Sequence, residues 1–217
     1  LADTQVAALG AGGVAALSAT QLAALSTTGI EALTATELAA LTTTQVAGLA
    51  ATQVRALSAT QIGALATSQI AALTTTEIAG LGETQVAALS AAQFAALSTT
   101  QLAALGAAGV AGLSAMAIAA MTSTQLAALG TTAIAALSTT QIRALTETSI
   151  GLLSTTQIRA LTATEAAALT ATQIAALDTR QIAALTTSAI TGLTATEVAD
   201  LTTTQLGAMT TSQIAAL

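Results

Sequence analysis

Leucine stands at every eighth residue from Leu1 to Leu217, and only Met121 and Met209 interrupt the series. The 217 residues divide into 27 octads plus the closing Leu217, with no insertion or deletion. So short and regular a period marks a tandem array before any other reading. It also excludes the simplest long structure. Eight residues at about 100° each advance an α-helix by about 800°, roughly 80° past two turns. An apolar stripe would wind around such a helix. Removing the drift needs about 4.0 residues per turn, outside the range of about 3.5 to 3.67 that supercoiled helices use. The octad is therefore not the repeat of one continuous helix or coiled coil.

The consensus L-[S/T]-x-T-Q-[I/V/L]-A-A instead contains a complete helix start. Position 2 is Ser, Thr, Asp or Gly in 24 of 27 octads, with Ala2, Ala50 and Ala66 the exceptions. These residues suit an N-cap, where a side-chain oxygen accepts an otherwise unpaired backbone N–H. Position 5, three residues on, is Gln or Glu in 20 of 27 octads, which completes a capping box. Ser18 with Gln21, Thr34 with Glu37 and Thr170 with Gln173 are examples. Leu at position 1 and the aliphatic residue at position 6 take the two places of a hydrophobic staple, as in Leu17 with Leu22 and Leu137 with Ile142. Position 6 is Val, Leu, Ile or Phe in 26 of 27 octads, Ala166 being the exception.

A cap every eight residues predicts a short helix over positions 3 to 8 of each octad. One and a half turns cannot persist alone in water, since isolated helices shorter than about 12 residues are marginal. Stacked octads sharing one core can. Position 8 is Ala or Gly in 25 of 27 octads, Leu152 and Asp200 excepted, which suits close backbone approach. Position 7 admits Glu31, Arg55, Arg143, Arg159 and Thr191, which suits solvent. Positions 1, 6 and 8 are expected inside and positions 3 and 7 outside, with position 5 near the surface performing its capping. The expected fold is an all-α solenoid or superhelix of short capped helices, with residues 1–217 forming a single array. A β-solenoid is the alternative, because Thr, Ile and Val favour strands. Against it stand the helix-favouring Ala, Leu and Gln, and the lack of a Gly, Asn or Asp turn signal in each round.

Composition narrows the function. The chain has no His, Cys, Lys, Asn, Pro, Trp or Tyr, one aromatic (Phe94), and a net charge of −6. Four scattered Arg and one aromatic do not make a phosphate-neutralising or base-stacking surface, so no nucleic-acid partner is expected. Polar residues break every apolar run well short of the roughly 20 needed to span a bilayer. The many hydroxyls lack a His or Lys base to activate them. The nearest carboxylate pairs are Glu31 with Glu37, Glu77 with Glu83, and Glu197 with Asp200, and capping explains one member of each. Asp178 and Arg180 read as a helix-start charge and its solvated partner. Gly10–Gly13 lacks the Lys-Ser/Thr continuation of a phosphate loop. No catalytic, cofactor-binding or metal-binding residue is expected, no cofactor or small-molecule substrate is implied, and the chain is not expected to be an enzyme. One surface feature stands out: position 4 is Thr or Ser in 22 of 27 octads. Either these hydroxyls bond locally, or stacking aligns them into a water-ordering, ice-binding Thr array.

Octads of the form L-T-T-T-Q-I-A-A-L resemble octapeptide tracts in very large secreted or surface, adhesin-like proteins of Gram-negative bacteria. The likeness runs through the whole chain. It implies a long extracellular or cell-surface segment such as a stalk, spacer or filament, and no functional residues carry over. Leu1 is not an initiator Met, and the terminal octads look like all the others. The sequence therefore reads as a window from a longer array, or as one whose like ends stack into a fibre. A structural rod that self-associates end to end or laterally is the expected function.

Overall fold

The computed structural model describes residues 5, 6 and 8–217; Leu1 and Ala2 of the first octad lie outside them. The described residues form short α-helices, one per octad from Gly10–Ala15 to Thr211–Ile214, and contain no strand. The all-α expectation holds, and the β-solenoid alternative does not.

From Ala19–Ala23 onward each helix starts where the cap pattern places it. In Ala59–Ala64 the N-cap Ser58 is extended, at φ −67° and ψ 162°, and its hydroxyl accepts from the Gln61 N–H at 3.2 Å. The Gln61 carboxamide oxygen reaches back to accept from the Ser58 N–H at 2.8 Å, closing the box. Thr34 with Glu37 and Thr170 with Gln173 repeat the arrangement. Where Ala50 offers no hydroxyl, the Gln53 oxygen still accepts from the Ala50 N–H at 2.8 Å. The helix of the second octad departs from the pattern: Gly10–Ala15 begins at position 2, with Gly10 at φ +64° and no side-chain cap.

The helices end without a Gly or Pro signal. The N–H of Leu57 closes a tight last turn on the Val54 carbonyl at 3.2 Å, and Leu57 then extends to φ −62° and ψ 134°. With Ser58 extended as well, two residues make the corner between helices. Among the described residues none other than glycine has a positive φ, so the corner costs no left-handed strain.

The array forms two compact units, Leu1–Leu113 and Ser114–Leu217. The octad phase runs through the boundary unbroken, and position 5 on either side of it is Gly109 and Ala117. In the first unit each helix packs against the helix three octads on: Gly10–Ala15 on Ala35–Ala39, Thr27–Glu31 on Ala51–Ala56, Thr75–Ala79 on Thr99–Ala104. The second unit follows the same rule, with Ala115–Ala119 on Thr139–Ala144 and Thr155–Arg159 on Thr179–Ala184. Position 6 is the centre of the core: Ile62, Ile70 and Ile142 are wholly buried. Position 1 lines it, as Leu57, Leu65 and Leu137 do. Positions 3 and 7 are largely exposed, as expected.

Two burial expectations need correction. Position 5 is expected near the surface, yet Gln53, Gln69 and Gln173 are each only 2% exposed. A capping oxygen has no need of burial; a second task for the amide draws the side chain inward. Position 8 is expected inside, but it is half-buried in most octads and lies on the seam where successive turns touch. At Gly112 an added Cβ would lie 2.1 Å from the Glu83 carbonyl oxygen, and at Gly192 it would lie 2.1 Å from that of Ala163. Small residues at position 8 are therefore required by close approach between turns, not by burial in the core.

Candidate functional site

The most specific feature of the array is what the position-5 Gln does with its nitrogen. In Gln53 the carboxamide oxygen caps its own helix, while Nε2 donates to the carbonyls of Leu22 at 2.9 Å and Leu25 at 2.8 Å. Those residues lie 31 and 28 positions earlier in the chain. Gln61 repeats this toward Leu33 at 2.7 Å, Gln69 toward Leu38 and Leu41 at 2.8 and 2.7 Å, and Gln101 toward Leu73 at 2.7 Å. In the second unit Gln173 reaches Ile142 and Leu145 at 2.8 and 2.6 Å, and Gln213 reaches Ile182 and Leu185 at 2.8 Å each.

The acceptors are the carbonyls at positions 6 and 1, sometimes joined by position 7, at the C-terminal end of a helix and its corner. Helix C-termini leave carbonyls without intrahelical donors, and burying them unpaired is costly. One Gln thus caps two helices: the start of its own with oxygen, and the end of another with nitrogen. The separation of 28 residues also sets the winding, at three and a half octads per turn. Within each unit, a position-5 Gln sits over position 1 of the turn before, so octads overlap like staggered bricks.

Four octads put Glu in this place: Glu37, Glu77, Glu165 and Glu197, all buried. The carboxylate keeps the capping half of the task, as the Thr162 N–H donates to Glu165 Oε2 at 2.7 Å and that of Thr74 to Glu77 Oε2. It has no N–H for the other half. The remaining oxygen of Glu77, Oε1, is buried with no hydrogen-bond partner. Burial pushes the Glu77 and Glu165 carboxyls above the usual carboxylate range, against hydrogen bonds from Thr74 and Thr162 that pull them down.

The geometry accounts for Ala, Leu, a hydroxyl residue and Gln recurring in order, as in Ala40–Gln45, ALTTTQ. The ALTTAQ repeat matches the chain five times in tandem, over residues 14–51, 38–75, 67–99, 94–131 and 118–155. The chain belongs to the ALTTAQ repeat family. No curated protein matches it. In ALTTAQ terms the motif spells positions 8 to 5: the seam residue, the core Leu, the cap, two outward residues and the double-capping Gln.

The remaining candidates fall into place around this frame. In each carboxylate pair one member is buried at position 5 and the other, Glu31, Glu83 or Asp200, is exposed. The pairs therefore do not converge on one cleft. Asp178 caps Thr179–Ala184 by accepting from the Gln181 N–H at 2.7 Å, and lies 3.5 Å from Arg180 on the surface. The position-4 hydroxyls are exposed, and several bond locally to the cap: Ser26 with Thr28 at 3.0 Å, Ser98 with Thr100 at 2.9 Å, Thr170 with Thr172 at 3.1 Å. Because turns are offset by half an octad, position 4 of one turn does not sit above position 4 of the turn before. Among the described residues no helix is long and apolar enough to cross a membrane.

The double-capping role is not part of the sequence reading, yet a signal for it exists. A capping box needs only an acceptor oxygen at position 5, and the helix dipole favours Glu there. The array nonetheless uses Gln in 16 octads and Glu in four. That excess of amide over carboxylate marks a use for the N–H donors.

Proposed function

We propose that this tandem-repeat chain is a structural spacer or filament-forming rod, without enzymatic activity, set at the cell surface or outside the cell. The observation that carries the reading is the Gln53-type double cap, which recurs within both units and ties turn to preceding turn by the same chemistry. Stability of this kind is a sum of like nearest-neighbour terms, so octads can be added without redesigning a core. Length is then the selectable property. The absence of His and Lys from the sequence supports a non-catalytic role. Self-association of like arrays is the expected partnership.

Solution scattering on arrays of two octad numbers tests this. A maximum dimension that grows in proportion to octad number supports a spacer, and sedimentation on the same samples reports self-association. A dimension that stays nearly constant as octads are added would overturn the reading.

A further inference from the structure

We infer that Glu77 and Glu165 each take up a proton from solvent in the folded array and donate it to carbonyl oxygens of the preceding turn, so that the turn junctions they occupy loosen as pH rises.

The Gln geometry supplies the template. Wherever position 5 is Gln and a full turn precedes it in the same unit, Nε2 reaches the carbonyl 28 residues earlier, and in most octads also the one 31 earlier. Gln85 does so to Leu57 at 2.7 Å and Val54 at 3.0 Å. The same spacing leads from Glu77 to Leu49 and Val46, and from Glu165 to Leu137 and Ile134. Both glutamates keep the capping contact through Oε2, as Gln does through Oε1, which leaves the second oxygen to take the place of the Gln nitrogen. A carboxylate there would set a negative oxygen against carbonyl oxygens, with every group an acceptor. A protonated carboxyl supplies the missing O–H donor. The buried, unpartnered Oε1 of Glu77 is the mark of that missing proton.

Nothing nearby offers the ionised form a better arrangement. Glu77 is packed by Ala51–Ala56 and Thr99–Ala104, whose only charged residue is Arg55. Glu165 is packed by Thr139–Ala144 and Thr187–Ile190, whose only charged residue is Arg143. The acceptor stretches 43–49 and 131–137 carry no charge at all. Both arginines are exposed, Arg143 Nε is given to the Ala168 carbonyl at 3.3 Å, and neither makes an ion pair with the glutamates. The upward direction of both carboxyls agrees. A carboxyl raised in the folded state contributes stability that is fully present below its unfolded value and is lost as pH rises through the folded one.

Carboxyl 13C titration of the whole chain, with amide exchange at about pH 4 and about pH 7, tests the proposal. Glu77 and Glu165 are expected to titrate above the ordinary carboxylate value. Exchange protection at their junctions, corrected for intrinsic rates, is expected to be lost on going to the higher pH, because a carboxyl that holds its proton more tightly when folded favours the folded state less once it ionises. The double variant Glu77→Gln, Glu165→Gln introduces the residue the array already uses, and is expected to hold its protection across the range. The control Glu31→Gln should keep the wild-type pH response, which separates local protonation from relief of net charge. Titration of both carboxyls at the ordinary value overturns the proposal, as does a double variant that loses protection as the wild type does.

Discussion

Gln85 Nε2 donates to the Leu57 carbonyl oxygen at 2.7 Å, while its Oε1 accepts from the Gly82 N–H at 3.0 Å. One side chain therefore closes the start of its own helix and a corner 28 residues earlier. Replacing Gln85 with Leu removes these bonds together with those to the Val54 and Arg55 carbonyls, and at roughly 1–3 kcal/mol for each backbone group left buried and unpaired the loss is about 2 kcal/mol or more. Urea unfolding of wild type and variant measures it. A loss under about 0.5 kcal/mol would mean that water replaces the amide at no cost.

Cap and clamp should separate in magnitude. Ser98→Ala removes only the hydroxyl that accepts from Gln101 N, leaving the Gln101 amide on Leu73. Its cost should be about 1 kcal/mol, the usual worth of an N-cap. The Ala50 octad, where Gln53 still accepts from the Ala50 N–H and donates to the Leu25 carbonyl, is the natural precedent. Gln101→Ala should cost distinctly more in the same unfolding experiment, and the reverse order would show that the turns are not held by the amide.

Two glycines should respond to alanine with opposite signs. Gly112→Ala drives a methyl into the Glu83 carbonyl, 2.1 Å from the ideal Cβ, and the turns must part to admit it. A loss of about 1–3 kcal/mol is expected, as for overpacking elsewhere. Gly207, inside helix Thr203–Ala208, has open space around its would-be Cβ. Gly207→Ala should stabilise by roughly 0.5–1 kcal/mol through helix propensity. Thermal melts of the two variants beside wild type decide it.

Positions 6 and 7 provide the inside–outside contrast. Ile142 is wholly buried, and Ile142→Asp places an unpaired charge in the core, a loss of several kcal/mol, roughly 4 or more. Ala135 is exposed, so Ala135→Glu should change stability by no more than about 0.5 kcal/mol. Far-UV circular dichroism during denaturation measures both, and equal damage from the two would invert the assignment.

The Glu37, Gln61 and Gln173 boxes were legible because capping acts within one octad, between residues three apart. The same holds for the burial of Ile62 and Leu65, which follows from their places in a hydrophobic staple. Position 8 was half legible: its small size pointed to close approach, but the partner, such as Glu83 opposite Gly112, lies 29 residues away and carries no matching pattern. The Gln amide was harder still, because its acceptors are backbone carbonyls, which every residue has.

The sequence by itself determined that the chain is an array, that each octad starts a capped helix, and which aliphatic side chains face the core. Those are local matters, decided by spacing, hydrogen bonds within one turn of helix, and the removal of two apolar residues per octad from water. Only the tertiary structure decided the winding of three and a half octads per turn, the burial of position 5, and the partners of Gln Nε2. The winding accumulates from the orientation of successive helices across extended corners such as Leu57–Ser58, where a small change in ψ moves residues 28 apart past one another. Once the turns close, the unpaired carbonyls at each helix end select the amide that lies above them.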